Sequence, residues 1–296
     1  MGQTLKFKSI LVTGSNGQLG TSLKQVMRET GLSAENFHFT DVDTLDITDP
    51  ASVGNFCRAR SVDAIVNLAA YTQVDKAESD REMAFAINAG AVQNLAQTAR
   101  ELGCFMLHIS TDYVFDGTAR IPYSTGTPTA PVSVYGASKA EGEQHIAAIA
   151  PHAAIIRTAW LYSAYGKNFF KTMMRLGSEK TEISVVNDQT GCPTYAPDLA
   201  TAILTVLANA GKVNGVEIFH YTNEGAITWY DFAKAIMRIS GARCRVNPVT
   251  SAEYPTPTKR PEYSVLDLSS IKEKFGIAIP NWEDGLERCL KTYRSL

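Results

Sequence analysis

The sequence lacks a strong excess of either charge and also lacks long apolar runs. Its 296 residues include 28 Lys+Arg and 30 Asp+Glu, so the formal net charge is −2. Binding to nucleic acid depends on a basic patch that displaces counterions from phosphates, and the sequence contains no run of Lys and Arg. A transmembrane helix needs about 18 or more apolar residues in succession, and no such stretch occurs. We therefore expect neither a nucleic-acid partner nor a membrane partner.

Cysteine is scarce, and its pattern excludes the usual metal and disulfide frameworks. The five cysteines are widely separated and form no Cys-x-x-Cys pair, and no histidine stands at metal-ligand spacing. We expect a reduced, cytoplasmic location and no metal site. The segment Met1–Ile10 has no apolar core, so we expect no signal peptide or anchor there. The five histidines form no motif and are interpreted as structural: His38, His108, His145, His152 and His220.

Short β-branched runs alternate with longer helical patterns through the first half of the chain, which is typical of βαβ units and a parallel sheet. The predicted strands are Ser9–Thr13, Asn36–Asp41, Ala64–Leu68, Phe105–Ser110 and Ala154–Arg157. The predicted helices are Leu19–Arg28, Ala51–Arg60, Arg81–Leu102 and Val134–Ile149. The composition of residues 116–131 predicts a loop.

The alternation weakens beyond Tyr162. Helical patterns are separated there by loops that contain proline: Phe169–Leu176, Leu199–Ala208, Trp229–Ile239 and Trp282–Tyr293. We predict an α/β protein, with a Rossmann-type doubly wound parallel sheet over residues 1–160. Residues 161–296 are expected to form mainly a smaller α/β substrate-binding domain, with some segments returning to the first domain.

Three glycines, Gly14, Gly17 and Gly20, lie between the first predicted strand and the first helix. In that position glycines allow a tight turn, close approach of a pyrophosphate to the backbone, and close packing of helix on strand. The helix N-terminus attracts the anion. The turn therefore predicts a dinucleotide site, although an ordinary glycine-rich turn would have the same sequence.

Asp41 ends the second predicted strand, where a dinucleotide site needs an acid for the ribose. Its carboxylate would accept a hydrogen bond from the 2′-hydroxyl of NADH and would repel the 2′-phosphate of NADPH. The sequence therefore favours NADH, with NADPH also usable; otherwise Asp41 is a solvated residue at a strand end. Asp46 and Ile47 follow at a distance that suits the adenine.

Tyr135 and Lys139 are four residues apart at the start of a predicted helix and share one face. An ammonium beside a phenol favours the phenolate and lowers the pKa of the phenol from about 10. Tyr135 could then donate a proton to a carbonyl oxygen while Lys139 holds the ribose. Thr111 follows the fourth strand and is the expected second donor, with Ser110 as a competitor. The alternative for Tyr135 is a packing role on a helix face.

Candidate substrate contacts follow the fifth strand. Trp160 could cover a sugar ring, and Asn168 could donate to a diphosphate. Residues 254–261 contain three prolines and could hold Arg260 over the pyrophosphate, or could form a plain surface loop. Other basic candidates are Lys167, Lys171 and Arg175, the last two of which could equally belong to a solvated helix face.

Several segments carry a family resemblance that runs from residue 10 to beyond 260. They are Tyr135-Gly136-Ala137-Ser138-Lys139, Ser110-Thr111-Asp112-Tyr113-Val114-Phe115, Val66-Asn67-Leu68-Ala69-Ala70-Tyr71-Thr72, Val74-Asp75-Lys76-Ala77-Glu78, Arg157-Thr158-Ala159-Trp160, Asn187-Asp188-Gln189-Thr190-Gly191 and Trp229-Tyr230-Asp231-Phe232. The chain resembles extended short-chain dehydrogenases/reductases and, more narrowly, the dTDP-4-dehydrorhamnose reductase family.

The resemblance implies reduction of the C4 keto group of dTDP-4-dehydro-β-L-rhamnose by NADPH or NADH. It implies that the cofactor site includes Gly17, Gln18, Leu19, Asp41, Asp46, Ile47, Ala70, Tyr71, Thr72, Tyr135 and Lys139. It also implies sugar-nucleotide contacts from Thr111, Asp112 and Trp160. Some members dimerise through Mg²⁺, but Ser22 is not acidic, so we expect a monomer or a homodimer without bound metal.

Other functions share these features. A non-catalytic nucleotide-binding module, similar to the regulatory subunit of methionine adenosyltransferase, would keep the dinucleotide domain. A 4-ketoreductase for another nucleotide sugar, an epimerase or a dehydratase could use the same scaffold. A dehydratase commonly has a glutamate after the aspartate of this motif, and here Tyr113 follows Asp112, which favours simple reduction.

Overall fold

A computed structural model describes residues 5–296, so the first four residues of the N-terminal segment considered above lie outside the described residues. The strands are β1 (Ile10–Thr13), β2 (Phe37–Phe39), β3 (Ala64–Asn67), β4 (Phe105–Thr111), β5 (Ala153–Thr158), β6 (Leu161–Tyr162), β7 (Glu182–Val186), β8 (Thr190–Gly191), β9 (Thr194–Tyr195), β10 (Val216–His220), β11 (Ile227–Thr228) and β12 (Arg245–Val249). The α-helices are α1 (Gln18–Thr30), α2 (Pro50–Ala59), α3 (Val74–Ala77), α4 (Arg81–Phe85), α5 (Ala91–Leu102), α6 (Val134–Ile149), α7 (Phe169–Glu179), α8 (Ala196–Ala208), α9 (Trp229–Ser240), α10 (Ser269–Phe275) and α11 (Trp282–Arg294).

Six parallel strands form the central sheet in the order β10-β5-β4-β3-β1-β2. The chain runs from β1 outward to β2 and then returns to the other side of β1 as β3. Ligands of open α/β sheets bind beyond the carboxyl ends of the strands where the order reverses. The crevice beyond β1 and β3 is therefore the place where the fold positions a ligand, and the predicted fold class is confirmed.

Apolar side chains cover both faces of this sheet. One face packs against α1, α8 and α10, with buried Leu23 and Ile203 among its contacts. The other face packs against α2, α5 and α6, with buried Val53, Leu95 and Ile146. Strands covered on both faces are fully buried, which explains why β1, β3 and β5 consist mainly of apolar residues.

A further apolar cluster lies beyond Tyr162 and joins α7, α9 and α11. The parallel pair β7 and β12 lies beside it. The sequence did not predict these two strands because both are largely half-buried or exposed, and β12 contains Pro248. Strand β10 was also missed, although it pairs with β5 in the central sheet.

The helical pattern predicted over Arg81–Leu102 is interrupted in the structure. One turn of π-helix, Ala86–Gly90, separates α4 from α5 and contains the buried Asn88. A π-turn widens the hydrogen-bonding ring locally and often occurs at functional sites. Among residues 5–296, no helix is both long enough and apolar enough to span a membrane.

Candidate active site

The glycine turn between β1 and α1 packs closely against the chain that follows β3. Gly14 has φ 65°, and a Cβ atom there would lie 2.6 Å from the amide nitrogen of Ala69. A Cβ atom on Gly20 would lie 2.5 Å from the Cα of Ser15. Gly17 precedes α1, and no side chain caps this helix N-terminus. The first N–H groups of α1 therefore have the arrangement that binds a pyrophosphate.

Gln18 and Leu19 open α1, and both side chains contact other parts of the protein. The amide nitrogen of Gln18 donates to the carbonyl oxygen of Leu161 at 3.2 Å, and its oxygen accepts from Asn168 at 3.2 Å. The side chain of Leu19 is buried in the core. The backbone N–H groups of both residues lie at the helix end where a phosphate would bind.

Asp41 lies beside the glycine turn, where the sequence analysis expects the ribose acid. Its Oδ2 accepts a hydrogen bond from the backbone N–H of Asn16 at 2.8 Å, and its Oδ1 accepts from that of Val42 at 2.9 Å. The carboxylate is half-buried and keeps lone pairs that can accept further bonds. Asp46 and Ile47 lie on the same rim, between β2 and α2, and Ile47 packs against the core.

The loop after β3 carries Ala70, Tyr71 and Thr72 and is fixed by Asn88. The Oδ1 of Asn88 accepts from the N–H of Tyr71 at 2.9 Å, and its Nδ2 donates to the carbonyl of Tyr71 at 3.1 Å and to Ser138 on α6 at 3.0 Å. Sequence reasoning missed Asn88, because the π-turn that directs its side chain has no local sequence signal.

Tyr135 lies in the first turn of α6, which Ser133 caps by accepting from the N–H of Gly136. Burial raises the pKa of Tyr135, against a smaller opposing effect of the neighbouring Thr111 side chain. Its ring packs edge-on against Tyr113, with centroids 5.5 Å apart. The structure thus brings the predicted proton donor and the predicted second donor, Thr111, into contact. The hydroxyl of Ser110 is buried nearby and has no hydrogen-bond partner among residues 5–296.

Lys139 shares a helix face with Tyr135, and its Nζ atom contacts strand β4. Its Nζ lies 2.7 Å from the carbonyl oxygen of Ile109 and 3.0 Å from Nε2 of His108, a side chain that the sequence analysis interpreted as structural. Burial lowers the pKa of Lys139 to about 8, although Glu143 opposes this. The expected lowering of the tyrosine pKa by a neighbouring lysine is therefore absent in this conformation, where burial of the phenol dominates.

Asp112 is the one acid buried beside Thr111 and Tyr135 in this part of the described chain. The hydroxyl of Thr111 donates to its Oδ1 at 2.9 Å. Burial raises the pKa of Asp112 to about 6, against the opposing effect of that hydrogen bond. The carboxyl group is therefore able to exchange a proton near neutral pH.

Trp160 follows β5 and has an unusual backbone conformation for a bulky residue, with φ 48°. Its indole stacks on Trp229 with ring centroids 3.6 Å apart. The backbone at Gly191 lies so close to this indole that a Cβ atom on Gly191 would be 2.6 Å from Trp160. Strained residues of this kind often mark ligand sites.

Two predicted substrate contacts have other partners in the structure. Asn168 caps α7, and its amide nitrogen donates to Gln18 and to the carbonyls of Ser163 and Tyr165, so no free amide donor remains. Arg260 pairs with Asp75 at 2.6 Å and donates to the phenol oxygen of Tyr113 at 3.2 Å. Since Tyr113 contacts Tyr135, Arg260 does lie at the edge of the site. Lys167 lies just before α7, whereas Lys171 and Arg175 lie on it, where Arg175 pairs with Glu179.

The parallel sheet, the glycine turn and the Tyr135 and Lys139 pair define a Rossmann-type reductase of the extended short-chain dehydrogenase/reductase class. A family model described as the RmlD substrate binding domain matches residues 8–295. The chain belongs to the dTDP-4-dehydrorhamnose reductase family.

Similar proteins cover almost the whole chain. A dTDP-4-dehydrorhamnose reductase of Sinorhizobium fredii is 41% identical over 290 residues, which are 94% of this chain and 95% of that protein. A crystal structure of the Bacillus anthracis dTDP-4-dehydrorhamnose reductase in complex with NADP has a TM-score of 0.90 and 37% identity, covering 96% of this chain and 99% of the other. A Clostridium acetobutylicum structure named for the same activity has a TM-score of 0.91 and 39% identity, covering 97% and 99%.

Proposed function

We propose that this protein reduces the C4 keto group of dTDP-4-dehydro-β-L-rhamnose to give dTDP-L-rhamnose, with NADPH or NADH as the reductant. The observation that carries the proposal is the contact between Tyr135 and Thr111 at the carboxyl edge of the sheet, in a chain of this family. Names of the relatives at 41% and 38% identity support the choice of substrate.

The nicotinamide cofactor supplies the hydride that adds to C4. The hydroxyl of Thr111 turns its proton from Asp112 to the keto oxygen, and Tyr135 transfers its phenolic proton to that oxygen as the alcohol forms. One hydride and one proton thus convert the ketone to a hydroxyl group, and the cofactor leaves oxidised. The deprotonated Tyr135 regains its proton from solvent before the next cycle.

We further propose that the cofactor site consists of the glycine turn and the rim residues around Asp41. The uncapped N-terminus of α1 suits the pyrophosphate. Asp41, Asp46 and Ile47 would contact the adenosine, and the loop held by Asn88 would border the nicotinamide side. Asp41 can accept from a ribose hydroxyl, and it disfavours a 2′-phosphate without a basic residue in the turn to offset it.

On the substrate side, Trp160 would cover the sugar, while Asp112 and Arg260 would border the nucleotide sugar. The structure favours a division near residue 160, because β7, β12, α7, α9 and α11 surround a separate apolar cluster. Helix α8 and strand β10 pack with the cofactor half. We keep a monomer or a homodimer as the expected state, in the cytoplasm.

The test is oxidation of NADPH and NADH by the purified protein with enzymatically prepared dTDP-4-dehydrorhamnose. We expect oxidation that depends on the sugar nucleotide and a product with the rhamnose configuration at C4. Tight cofactor binding without any oxidation would contradict the proposal and favour a non-catalytic nucleotide-binding module. Turnover of a different 4-keto sugar only would place the protein with another nucleotide-sugar 4-ketoreductase.

A further inference from the structure

A row of buried polar side chains crosses the sheet beneath the reaction site. Thr13, Asn67 and His108 are direct neighbours on β1, β3 and β4, as the strand register pairs Thr13 with Asn67 and Asn67 with His108. All three are at most 1% exposed. The row continues to Lys139 on α6, whose Nζ lies 3.0 Å from Nε2 of His108. Buried polar groups of this kind must satisfy one another, so their hydrogen-bond directions are coupled.

The direction of the row is set by a backbone group. Oδ1 of Asn67 lies 3.2 Å from the backbone N–H of Ala69 and 2.6 Å from the hydroxyl of Thr13. The backbone N–H can only donate, so the amide oxygen of Asn67 must face it. The amide nitrogen then faces Nδ1 of His108, at 3.0 Å. Because an amide nitrogen donates, Nδ1 of His108 must accept.

The consequence passes through the imidazole to the lysine. A neutral imidazole has one N–H, so an accepting Nδ1 places the proton on Nε2. That N–H points at Nζ of Lys139, and two donors cannot share a hydrogen bond. The lysine must therefore offer a lone pair, as an uncharged amine does, while it donates one of its own protons to the carbonyl of Ile109 at 2.7 Å.

We propose that His108 and Asn67 are positioning residues that hold Lys139 as an uncharged amine, bound to His108 and to the Ile109 carbonyl, until the lysine leaves His108. On leaving, the amine takes up one proton from solvent and becomes the ammonium that can stabilise the phenolate of Tyr135. The proposal rests on the proposed reductase function, because it concerns the lysine of that site.

Other charged groups around the lysine do not replace this control. Glu143 lies one turn further along α6 and favours the ammonium, but both of its oxygens accept from Arg157 of β5, at 2.9 and 2.6 Å. From β4, His108 and the Ile109 carbonyl face the amine. Burial lowers the pKa of His108 well below its usual value, which agrees with a neutral ring.

The test is NMR of the full-length, cofactor-free protein labelled with ¹⁵N and ¹³C in histidine and lysine. We expect His108 as the Nε2–H tautomer and Lys139 with a proton affinity clearly below that of the other lysines. An Nδ1–H tautomer for His108, or a Lys139 that titrates with the surface lysines, would overturn the proposal.

Asn67→Asp reverses the row with almost no change in shape. A carboxylate accepts from Ala69, from Thr13 and also from Nδ1 of His108, so Nε2 becomes an acceptor for the ammonium. We expect the Nδ1–H tautomer and at least about a tenfold rise in the proton affinity of Lys139. Lys139 must leave His108 and take up one proton to hold the cofactor ribose, so the fall of NADPH affinity at high pH should also move to a higher pH. An unchanged tautomer and pH profile in a folded variant would contradict the proposal.

Thr13→Val is the matched control, because it removes one hydrogen bond to Asn67 and leaves the one from Ala69. We expect it to keep the Nε2–H tautomer, and a reversed tautomer would show that Ala69 does not set the direction. The NMR result and the turnover assay separate the two proposals. Wild-type protein with the Nε2–H tautomer and no turnover would overturn the reductase function alone, whereas turnover with the Nδ1–H tautomer would overturn only the role of His108 and Asn67.

Discussion

The two sides of the crevice are built from different chemical groups. On the side of residues 13–20, a ligand meets backbone N–H groups and glycines, with no side chain capping α1. On the side of residues 108–139, it meets buried side chains that can each gain or lose a proton: Asp112, Tyr135, Lys139 and His108.

The two sides should therefore respond differently to substitution, one through the space available to the ligand and the other through ionisation. Backbone N–H groups keep their dipoles at every pH, so substitutions on the glycine side should act by filling space. Side chains on the other side have pKa values displaced by burial, so substitutions there should change proton transfer and the pH dependence of stability. The three predictions that follow test this contrast.

The largest effect is expected from Tyr135→Phe. The variant keeps the ring against Tyr113 but removes the proton donor, so we expect kcat to fall roughly 10²- to 10⁴-fold. The affinity for NADPH should change little, because the pyrophosphate is held on the other side of the crevice. Steady-state kinetics and fluorescence titration measure the two quantities. Tyr293→Phe on α11 is the control, and turnover of Tyr135→Phe within a few-fold of wild type would contradict the assignment.

A smaller effect, on stability and cofactor binding instead of proton transfer, is expected from Gly20→Ala. The added methyl group would lie 2.5 Å from backbone atoms of Ser15, which forces the glycine turn to move. We expect the variant to lose about 1–3 kcal/mol in the free energy of unfolding and to bind NADPH more weakly than wild type. Each of these two differences from wild type should be the same at pH 6 and at pH 8.

Urea unfolding and cofactor titration at the two pH values check this prediction. Gly211→Ala is a matched control, since a methyl group there meets no atom within 4 Å. A loss of cofactor affinity that depended on pH would break the proposed contrast between the two sides.

The last effect, which concerns stability alone, is expected from Asp112→Asn. The folded protein raises the pKa of Asp112 from 3.8 to about 6, so it binds the proton more tightly than the unfolded chain does. Stability is therefore lost as the pH rises from about 4 through about 6, by at most about 3 kcal/mol. An uncharged amide avoids this loss, so the variant should be the more stable protein at pH 8, with a smaller advantage at pH 4.

Denaturant unfolding at both pH values gives the comparison. Asp43→Asn, at an exposed position, should leave the free energy of unfolding unchanged at either pH. An Asp112→Asn variant whose advantage is the same at pH 4 and pH 8 would show that the buried carboxyl is not the source.

Local signals explain which elements could be predicted from the sequence. The glycine turn, the spacing of Tyr135 and Lys139, and the buried strands β1 and β3 each depend on a few neighbouring residues. The edge pair β7 and β12 has weak alternation, and β10 is defined by its distant partner β5, so neither could be recognised locally.

The same limit applies to individual side chains. Asn168 resembles a substrate donor in the sequence, but its amide binds Gln18, which lies 150 residues earlier. His108 lies within the buried strand β4 and belongs to no motif. Only the folded sheet brings it to Asn67 and Lys139. Functional residues can be predicted from the sequence where one local motif contains them. They cannot be predicted where the contact depends on the alignment of distant strands.

The position of β10 at the edge of the sheet has a consequence for how the chain is made. During synthesis, β1 to β5 emerge from the ribosome well before residues 216–220, so the outer edge of β5 initially has no partner strand. An unpaired strand edge can join another chain. The nascent protein therefore exposes the unpaired edge of β5, which is prone to association with other chains, while about 60 further residues are translated. Chaperones or slow codons over this interval could influence this delay.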